Sequence, residues 1–398
     1  MNKQISVAVQ QHFLSHYRLR IFSLMSSQAD PYPRYTFYSD TTSPEGIVTI
    51  DKDTLIPELL DGKGIRWKKV RNWWLGKTIL FQPKVLKLGI SSEHDCIIYL
   101  GSMYHLTTWI SAILAKISGK RVLMWTHGYL KEEPGFKGYI REIFYRIADG
   151  LLLYGHRGRK LMEKRGFDPK TLYVVYNSLD YDFQKSIRLR YSMRDLNEMR
   201  KTHFENHTLP VLVFTGRVTK RKGLELIFKA QDQLRLMGML TNVLVIGDGP
   251  DRVKLEKLVE ISNLSSNVKF VGACYDENIV GPLLMMSDVC VSPGEVGLTC
   301  IHSMAYGTPV ISHDDPSSQG PEWESIIDGV TGSVFRKGDF HSLAEKIFEW
   351  LKTRPSKNIV SENCIRVVEN CYSPKNQLSI INRAVEGLIP ENQLVNEV

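Results

Sequence analysis

Short apolar runs alternate with amphipathic segments along most of the chain, in the pattern of strands and helices that follow one another. The runs predicted to be strands in the first half are 5–9, 34–38, 96–100, 122–126, 151–154 and 173–176. We expect a loop and a helix after the first run, and a further helix over residues 107–117. Strands separated by helices favour a parallel sheet with both faces covered.

The pattern weakens over residues 182–208, which are polar and rich in arginine, and a second alternating series follows them. Predicted strands are 211–215, 242–246, 268–271, 289–292, 310–312 and 333–335; predicted helices are 224–234, 252–262, 279–286, 296–304, 340–352 and 376–388. The sequence thus predicts an α/β protein with an N-terminal domain over 1–181 and a linker or irregular helix over 182–208. It also predicts a C-terminal domain over 209–372. The remaining segment, 373–398, is predicted to contain a helix that crosses back to the first domain.

Composition narrows the class of partner more than it narrows the function. The chain of 398 residues has 43% hydrophobic and 24% charged residues, as soluble globular proteins do. A net charge of +8 makes anionic partners plausible. The six cysteines are scattered without metal-ligand spacing, which favours reduced thiols in the cytoplasm. We find neither a signal peptide nor a membrane-spanning run, so we expect at most peripheral contact with the inner face of a membrane.

Candidate chemistry lies directly after the predicted strands, because parallel sheets bind ligands beyond the carboxyl ends of their strands. After 211–215 the sequence GRVTKRKG gathers cations and helix amides suited to phosphate, although a solvated basic loop has the same composition. After 289–292 the sequence PGEVGLT opens the predicted helix, whose amides at 297–300 are expected to receive a diphosphate.

Four residues in and after this second loop, two glycines, a glutamate and a histidine, suggest ligand contacts. Gly294 and Gly297 would let backbone approach a ligand closely. Glu295 would accept hydrogen bonds from sugar hydroxyls, and His302 would reach a ribose hydroxyl. A solvated loop carboxylate and a core or surface histidine are the ordinary alternatives for these two. No Walker loop, HExxH or GxSxG occurs, which leaves little support for an ATPase, a zinc hydrolase or a serine hydrolase.

Taken in order, these segments resemble the family 4 glycosyltransferases of GT-B fold, and within them a branch of bacterial capsule and O-antigen transferases. The resemblance rests on GRVTKRKGLELIFKA at 216–230, VLVIGDGP at 243–250, NVKFVGACYDE at 267–277, SDVCVSPGEVGLTCIHSMAYGTPVI at 287–311 and GPEWESIIDGVTGSVF at 320–335. THG at 126–128 and VVYNSLD at 174–180 fit more loosely. The resemblance implies two facing Rossmann-like domains with the donor in a central cleft.

The resemblance also implies roles for individual residues. The predicted donor residues are Gly216, Arg217, Lys222, Gly294, Glu295, Gly297, Leu298, Thr299 and His302, and the predicted acceptor-side residues are His16, Arg18 and His127. The resemblance itself covers Arg217, Lys222, Gly297, Leu298, Thr299 and His127; the others are predicted from their places after the strands. Arg217 and Lys222 would neutralise the donor diphosphate, and His127 would lie near the transferred sugar. The implied reaction is retaining transfer from a nucleotide-diphosphate sugar to a glycan or lipid-linked glycan, with no metal or other cofactor.

Two departures from the family pattern keep other functions open. The family usually carries two glutamates in this loop and helix, whereas Gly294 and His302 stand at those positions, with Glu295 one place away. HFLSHYR also replaces the glycine-rich loop that usually follows the first strand. A non-catalytic GT-B scaffold protein and a sugar-nucleotide epimerase or hydrolase therefore remain as alternatives.

Residues 62–87 form a basic segment with interleaved tryptophans and no acidic residue. This composition suits the surface of an anionic bilayer. A solvated basic face whose tryptophans lie in the core is the alternative. Nucleic acid would fit the charge, but no nucleic-acid-binding motif supports it.

Overall fold

The computed structural model describes residues 4–43, 47–57 and 64–390, and these form two compact units. Within the described residues, unit 1 holds 4–180 together with 373–390, and unit 2 holds 181–372. The chain therefore leaves unit 1 once and returns to it for its last helix.

Unit 1 is built on an eight-stranded parallel sheet in the order β10-β9-β8-β7-β1-β2-β4-β3, beside an antiparallel hairpin of β5 and β6. Its strands are β1 Ser6–Phe13, β2 Arg34–Asp40, β3 Leu55–Ile56, β4 Ile65–Lys69, β5 Trp73–Leu75, β6 Ile79–Phe81, β7 Cys96–Leu100, β8 Arg121–Thr126, β9 Gly150–Leu153 and β10 Leu172–Val174. Its helices are α1 Leu19–Ser27, α2 Pro83–Ile90, α3 Leu106–Ile117, α4 Phe136–Arg146, α5 His156–Glu163 and, from the end of the chain, α14 Pro374–Glu386.

Alternate residues of the central strands of unit 1 are buried against different helices. Val7 and Val9 of β1 belong to one apolar cluster, which includes residues of α1 and α14. Ala8, between them, belongs to a second cluster that includes residues of α2, α3 and α4. Because strand side chains alternate between faces, both sides of this sheet are covered.

The last helix is held in unit 1 by polar contacts as well as by packing. Asn382 Oδ1 accepts a hydrogen bond from the Tyr35 hydroxyl at 2.7 Å. Arg121 Nε donates to the Ala384 carbonyl at 2.7 Å. Ile381 is fully buried in the same cluster as β1. These contacts tie α14 to β2 and β8.

Unit 2 contains a six-stranded parallel sheet in the order β13-β12-β11-β14-β15-β16. Its strands are β11 Val211–Thr215, β12 Asn242–Ile246, β13 Val268–Gly272, β14 Val289–Ser292, β15 Val310–His313 and β16 Gly332–Phe335. Its helices are α6 Tyr181–Arg188, α7 Met193–His203, α8 Glu225–Leu236, α9 Arg252–Ile261, α10 Glu277–Met286, α11 Thr299–Ala305, α12 Phe340–Thr353 and α13 Lys357–Cys371. This order places β11 beside β14, so the loops that follow these strands are neighbours.

The segment predicted as a linker over 182–208 contains two regular helices that belong to unit 2. α7 begins with a capping box in which Ser192 and Asp195 satisfy each other's main-chain amides. Arg200 forms an ion pair at 2.8 Å with the buried Asp288, which also binds Arg354 at 3.1 Å. Caps and buried ion pairs hold these polar residues, and a search for apolar periodicity does not detect them.

The first strand is longer than the predicted 5–9, because buried glutamines continue it to Phe13. Gln10 is fully buried, but its amide donates to Gln82 Oε1 at 2.5 Å and its Oε1 accepts from the Leu100 amide at 3.0 Å. Polar side chains satisfied in this way are compatible with a buried strand. The end of this strand, and with it the loop that follows, thus lies four residues later in the sequence than predicted.

Candidate functional site

The carboxyl ends of β1, β7, β8 and β9 surround a cavity of ≈ 420 Å³ within unit 1. Its wall includes His12, Arg18, Trp74, His105, Trp125 and His127. Four strands and the β5–β6 hairpin contribute to this wall, so residues far apart in sequence meet there.

The guanidinium of Arg18 has a fixed position at the wall of this cavity. Its Nη2 donates to the Tyr154 hydroxyl and to Asn177 Oδ1, the latter at 3.3 Å. Its central carbon lies 5.2 Å from the Trp125 ring centroid and 5.0 Å from that of Tyr154, within range of cation–π attraction. A planar cation is therefore oriented before any ligand arrives.

Three imidazoles at the cavity are held in the neutral form. Burial, and then the charge of Arg18, lowers the pKa of His12 to about 4 and that of His127 to about 4. Burial, and then His12, lowers the pKa of His105 to about 3. The His127 residue still reaches solvent at the mouth, with its ring centroid 4.5 Å from that of Tyr154. At neutral pH each ring can donate one hydrogen bond and accept another.

The structure brings together two of the three residues predicted on the acceptor side. Arg18 and His127 both line the cavity, whereas His16 is exposed in a short 3-10 turn and does not line it. The acceptor-side role of His16 stays a prediction. Its main-chain amide donates to the Val48 carbonyl at 2.9 Å, and this hydrogen bond holds the turn in place.

Sequence analysis missed two ring side chains that line the cavity. His105 comes five residues after β7, beyond the positions inspected at the strand exit. Trp74 was noticed, but was assigned to a basic surface segment. The β5–β6 hairpin brings it to the cavity, where its ring centroid lies 6.3 Å from that of His12.

In unit 2 the exit loops of β11 and β14 are tied together by hydrogen bonds. Lys222 Nζ donates to the Glu295 carbonyl at 2.5 Å, and the Gly294 amide donates to the Lys222 carbonyl at 3.1 Å. Thr299 Oγ1 donates to the Thr215 carbonyl at 3.2 Å. The two segments singled out from the sequence are thus adjacent in space.

The two glycines of this loop, Gly294 and Gly297, have different surroundings, and of these two only Gly297 adjoins open space. A Cβ at Gly294 would lie 2.2 Å from the Arg221 carbonyl oxygen, so this glycine serves contact with the chain itself. The expected approach of a ligand to Gly294 stays a prediction. Gly297 has a φ of +52°, and a Cβ there would meet nothing within 4 Å. Open space therefore adjoins Gly297.

Helix α11 begins at Thr299 and not at the predicted residue 296. The Cys300 amide donates to the Gly297 carbonyl at 3.1 Å, so it is not available to a ligand as expected. Within the described residues, the amides of Gly297, Leu298 and Thr299 have no acceptor. Three unpaired donors thus remain at the start of this short helix.

The cations of the β11 exit differ in their surroundings. Arg217 is exposed and makes no hydrogen bond or ion pair with another described residue. Burial lowers the pKa of Lys222, which is half-buried against the loop. Arg221 forms an ion pair with the Glu295 carboxylate, the group that the sequence suggested for sugar hydroxyls. Lys222 therefore lies against the loop that carries these amides, next to a carboxylate that is already paired, and Gly216, which precedes Arg217, adjoins Thr299.

His302 contacts a carboxylate that sequence analysis did not single out. Its Nε2 lies 3.0 Å from Glu277 Oε2, and the Tyr306 hydroxyl donates to the same oxygen at 2.7 Å. Burial acts to raise the pKa of Glu277, but the bonds and charge of His302 outweigh it and the net shift is downward. Glu277 lies five residues after β13, so a longer search beyond each strand would have found it. Gly216, beside Thr299, completes the predicted donor residues.

Neither a metal cluster nor a spanning helix occurs in residues 4–43, 47–57 and 64–390. No group of three or more His, Cys, Asp or Glu side chains there could hold a metal ion. In the same ranges no helix has the length and apolar composition needed to cross a bilayer. All the cysteines except Cys274 are buried.

Comparison with known proteins identifies the second unit by sequence. Residues 195–367 match the family described as glycosyl transferases group 1. The chain is 32% identical over 160 residues to the lipopolysaccharide core biosynthesis glycosyltransferase LpsE of Rhizobium meliloti, covering 39% of this chain and 41% of that protein. It is 27% identical over 146 residues to the alpha-D-kanosaminyltransferase of Streptomyces kanamyceticus, covering 35% and 36%. The matched stretch thus spans about two fifths of the length of these relatives.

Solved structures resemble the chain over almost its whole length. HepE of Anabaena, in complex with UDP, matches with a TM-score of 0.70 at 17% identity, covering 97% of this chain and 100% of that chain. The lipopolysaccharide outer core galactosyltransferase WaaB matches with a TM-score of 0.65 at 16% identity, covering 96% and 99%. The predicted α/β, GT-B fold class is confirmed. Residues 195–367 thus match the glycosyl transferases group 1 family, in a chain that has the GT-B fold and resembles the transferases of surface polysaccharides.

Proposed function

We propose that this protein is a glycosyltransferase that moves a sugar from a nucleotide-diphosphate sugar to a hydroxyl of a growing, lipid-linked glycan. The carrying observation is the pair of adjacent strand exits in unit 2. There Lys222 bonds to the loop that leads to the amides of 297–299, which have no acceptor among the described residues, and Arg217 directly follows Gly216, which adjoins Thr299. Cations and amides in one place suit a diphosphate.

The donor class is supported by the relatives as well. HepE of Anabaena has been crystallised with UDP and with UDP-glucose. LpsE and WaaB are named as lipopolysaccharide core transferases, which supports a glycan acceptor here. The particular sugar, base and linkage follow from neither name.

The proposed chemistry depends on stabilising a leaving diphosphate. As the bond to the sugar breaks, negative charge grows on the β-phosphate. Arg217, Lys222 and the amides of 297–299 would oppose that charge, which is stabilisation directed at the transition state. Because side chains and amides would supply this positive charge, we propose transfer that needs no metal. We also propose that the anomeric configuration is retained, as the resemblance to the family 4 glycosyltransferases implies. Turnover unchanged by EDTA, and product configuration by NMR, test these two points.

The acceptor is proposed to bind in the cavity of unit 1, with its hydroxyl near His127. The imidazole of His127 is neutral at pH 7, so it can accept a hydrogen bond from that hydroxyl. Arg18 lies on the same wall and adds a fixed positive charge.

A lipid-linked acceptor would bring the protein to a bilayer, and one face of unit 1 suits that contact. Leu106, Ile110, Ile113 and Ile117 form a stripe along α3, and each is between 46% and 77% exposed. Spacings of four, three and four residues place them on one side of the helix. An outward stripe without polar residues is unusual for a soluble surface and marks an interaction site.

Neighbouring elements extend this stripe and give it a positive rim. α4 packs beside α3 through Trp109 and Phe144, whose ring centroids are 4.8 Å apart, and it exposes Phe136 and Tyr139. On the other side, α2 carries exposed lysines at 84 and 87. Aliphatic and aromatic side chains rimmed by lysine are typical of helices at anionic bilayers. We therefore propose peripheral binding at the inner face of the cytoplasmic membrane, centred on α3.

This proposal relocates most of the membrane contact predicted for residues 62–87. Residues 62 and 63 lie outside the described residues. Trp67 is half-buried in β4, packs against the core and donates to Ser39 Oγ at 2.9 Å. Trp73 and Leu75 of the hairpin remain exposed, so only this part of the segment is suited to a bilayer.

The decisive experiment measures donor consumption with and without an acceptor. We would incubate the full chain with UDP-, GDP- and dTDP-sugars and with membrane extract containing lipid-linked glycans. A transferase consumes one donor class only when acceptor is present and moves label into the glycan. Consumption without acceptor would indicate the epimerase or hydrolase alternative. If no donor is consumed and no donor raises the melting temperature, our proposal is rejected and the non-catalytic scaffold is the remaining alternative.

A further inference from the structure

We propose that the cavity of unit 1 binds an acceptor with an anionic group, a phosphate or a carboxylate, beside its sugar ring. This inference rests on the proposed function, because it names the class of acceptor for that reaction. It concerns the charge of the acceptor in the cavity itself, separately from any lipid surface.

Among the described residues, the wall of the cavity is basic and contains no acidic side chain. None of the described residues that line it is Asp or Glu, whereas Arg18 and Lys77 both contribute cations. A concave wall with charge of one sign focuses the potential on its interior. An anionic ligand is matched to this potential, and a neutral sugar makes no use of it.

The two cations are held in complementary ways. The contacts of Arg18 with Tyr154, Asn177 and Trp125 orient its guanidinium. A planar guanidinium in a fixed orientation suits the two oxygens of a phosphate or carboxylate. Lys77 lies in the exposed turn between β5 and β6 and has no ionic partner among the residues that the structure describes. Its flexible ammonium can follow an anion near the mouth.

The hairpin that carries Lys77 is anchored next to the cavity. Leu80 of β6 is fully buried, and its amide donates to the Tyr104 carbonyl at 3.0 Å. Tyr104 itself lines the cavity. The turn therefore projects from a fixed base, and Lys77 stays within reach of the mouth.

Buried polar atoms in the wall indicate that the ligand also carries hydroxyl groups. His105 is only 5% exposed, and its Nδ1 has no hydrogen-bond partner among the described residues. The Nδ1 of His12 is likewise buried and unpartnered. Buried polar groups are normally satisfied, so these two indicate a missing partner. The ring of Trp74, near both imidazoles, offers an apolar face to a sugar.

Three matched sugars test the charge preference directly. Methyl glucoside, methyl glucuronide and methyl glucoside 6-phosphate share a ring and differ in charge. We would titrate each into the full chain by calorimetry at physiological ionic strength. We expect at least one charged sugar to bind about tenfold more tightly than the neutral one, since hydrogen bonds to charged groups are the stronger class. Preference for phosphate alone or carboxylate alone supports the proposal and identifies the group.

Variants assign the binding to this cavity. Lys77→Met should remove most of the preference, whereas Lys87→Met, an exposed lysine on α2 outside the cavity, should keep it. The double variant of Arg217→Met and Lys222→Met should also keep it. Equal affinity for all three sugars, or equal effects of the Lys77 and Lys87 variants, overturns the inference. Loss of the preference only in the Arg217 and Lys222 variant would assign it to unit 2 and leave the proposed function standing.

Discussion

The Lys222 ammonium group donates to the main-chain oxygen of Glu295 at 2.5 Å, and this bond joins the exits of two neighbouring strands. The bond fixes the side chain in the loop that opens α11, where the amides of 297–299 have no acceptor within the part of the chain that the structure describes. Burial also lowers the pKa of this ammonium, so it is less firmly protonated than a surface lysine. A diphosphate arriving there would restore a counter-charge to a cation that the fold has partly desolvated.

Lys222→Met should therefore reduce the rate of donor turnover by about 10²–10³-fold, the loss typical when one electrostatic group is removed from a transition state. Lys220→Met is the matched control, because Lys220 is an exposed lysine of the same 3-10 turn. Initial rates of nucleotide release measure both variants, and thermal unfolding checks that the loop remains folded. Equal rates for the two variants would remove Lys222 from the mechanism.

The two loop glycines should respond differently to alanine. A methyl group at Gly294 would overlap the Arg221 carbonyl oxygen at 2.2 Å, so the β11 and β14 loops must separate. Gly297→Ala meets no neighbour and bears only the cost of a positive φ, about 1–2 kcal/mol. We expect Gly294→Ala to lower the melting temperature more and to abolish donor stabilisation, while Gly297→Ala keeps a measurable donor shift. Thermal shift with and without the donor compares them, and the reverse order would contradict this geometry.

Acid should weaken the protein through His94, whose buried ring bonds to Ser6 Oγ at 2.9 Å and Tyr38 at 2.8 Å. Burial lowers its pKa from 6.5 to about 4 in the folded protein. The unfolded chain takes up that proton near pH 6.5, so the free energy of unfolding falls as the pH drops from 6.5 towards 4. At pH 5 the loss from this group is about 2 kcal/mol.

His94→Gln isolates that contribution, because glutamine has hydrogen-bonding atoms and does not titrate. Urea unfolding at pH 7.5 and pH 5 should show a smaller difference between the two pH values for the variant than for the native chain. Since other histidines of unit 1 also titrate, the quantity to compare is how strongly the free energy of unfolding depends on pH in each protein. Identical pH dependence in both proteins would show that His94 is not the group responsible.

Much of the fold was predictable because apolar runs bounded by turn residues determine the strands. The predicted ranges 96–100, 211–215, 242–246 and 289–292 coincide with β7, β11, β12 and β14. Strand β4 and the hairpin escaped, since lysine, arginine and tryptophan there obscure the alternation of a sheet edge. The helices at 182–208 escaped for a related reason, because ion pairs hold them: Arg200 of α7 pairs with Asp288 and Lys185 of α6 pairs with Glu369.

The site was predictable in position and less so in its contacts. The exits of parallel strands brought attention to His127, which lines the cavity of unit 1, and to Arg217, whose role stays a prediction. The partners of those groups come from other elements, as with Arg221 beside Glu295 and Glu277 beside His302. Such pairs depend on how helices and loops pack on the sheet, and no local pattern in the sequence encodes them.

The stripe on α3 should control binding to membranes. Ile113→Glu places a charge at the centre of this face, and it should weaken sedimentation with vesicles of phosphatidylcholine and phosphatidylglycerol by about tenfold or more. An aliphatic side chain contributes about 1.5–3 kcal/mol when it is buried, which corresponds to that change. Leu236→Glu is the matched control, since Leu236 is exposed at the end of α8 in unit 2.

Vesicles of phosphatidylcholine alone should bind less, because the lysine rim then has no anionic partner. If both variants sediment alike, α3 does not contact the bilayer; if the native chain forms a dimer that Ile113→Glu dissociates, the stripe binds a second copy instead.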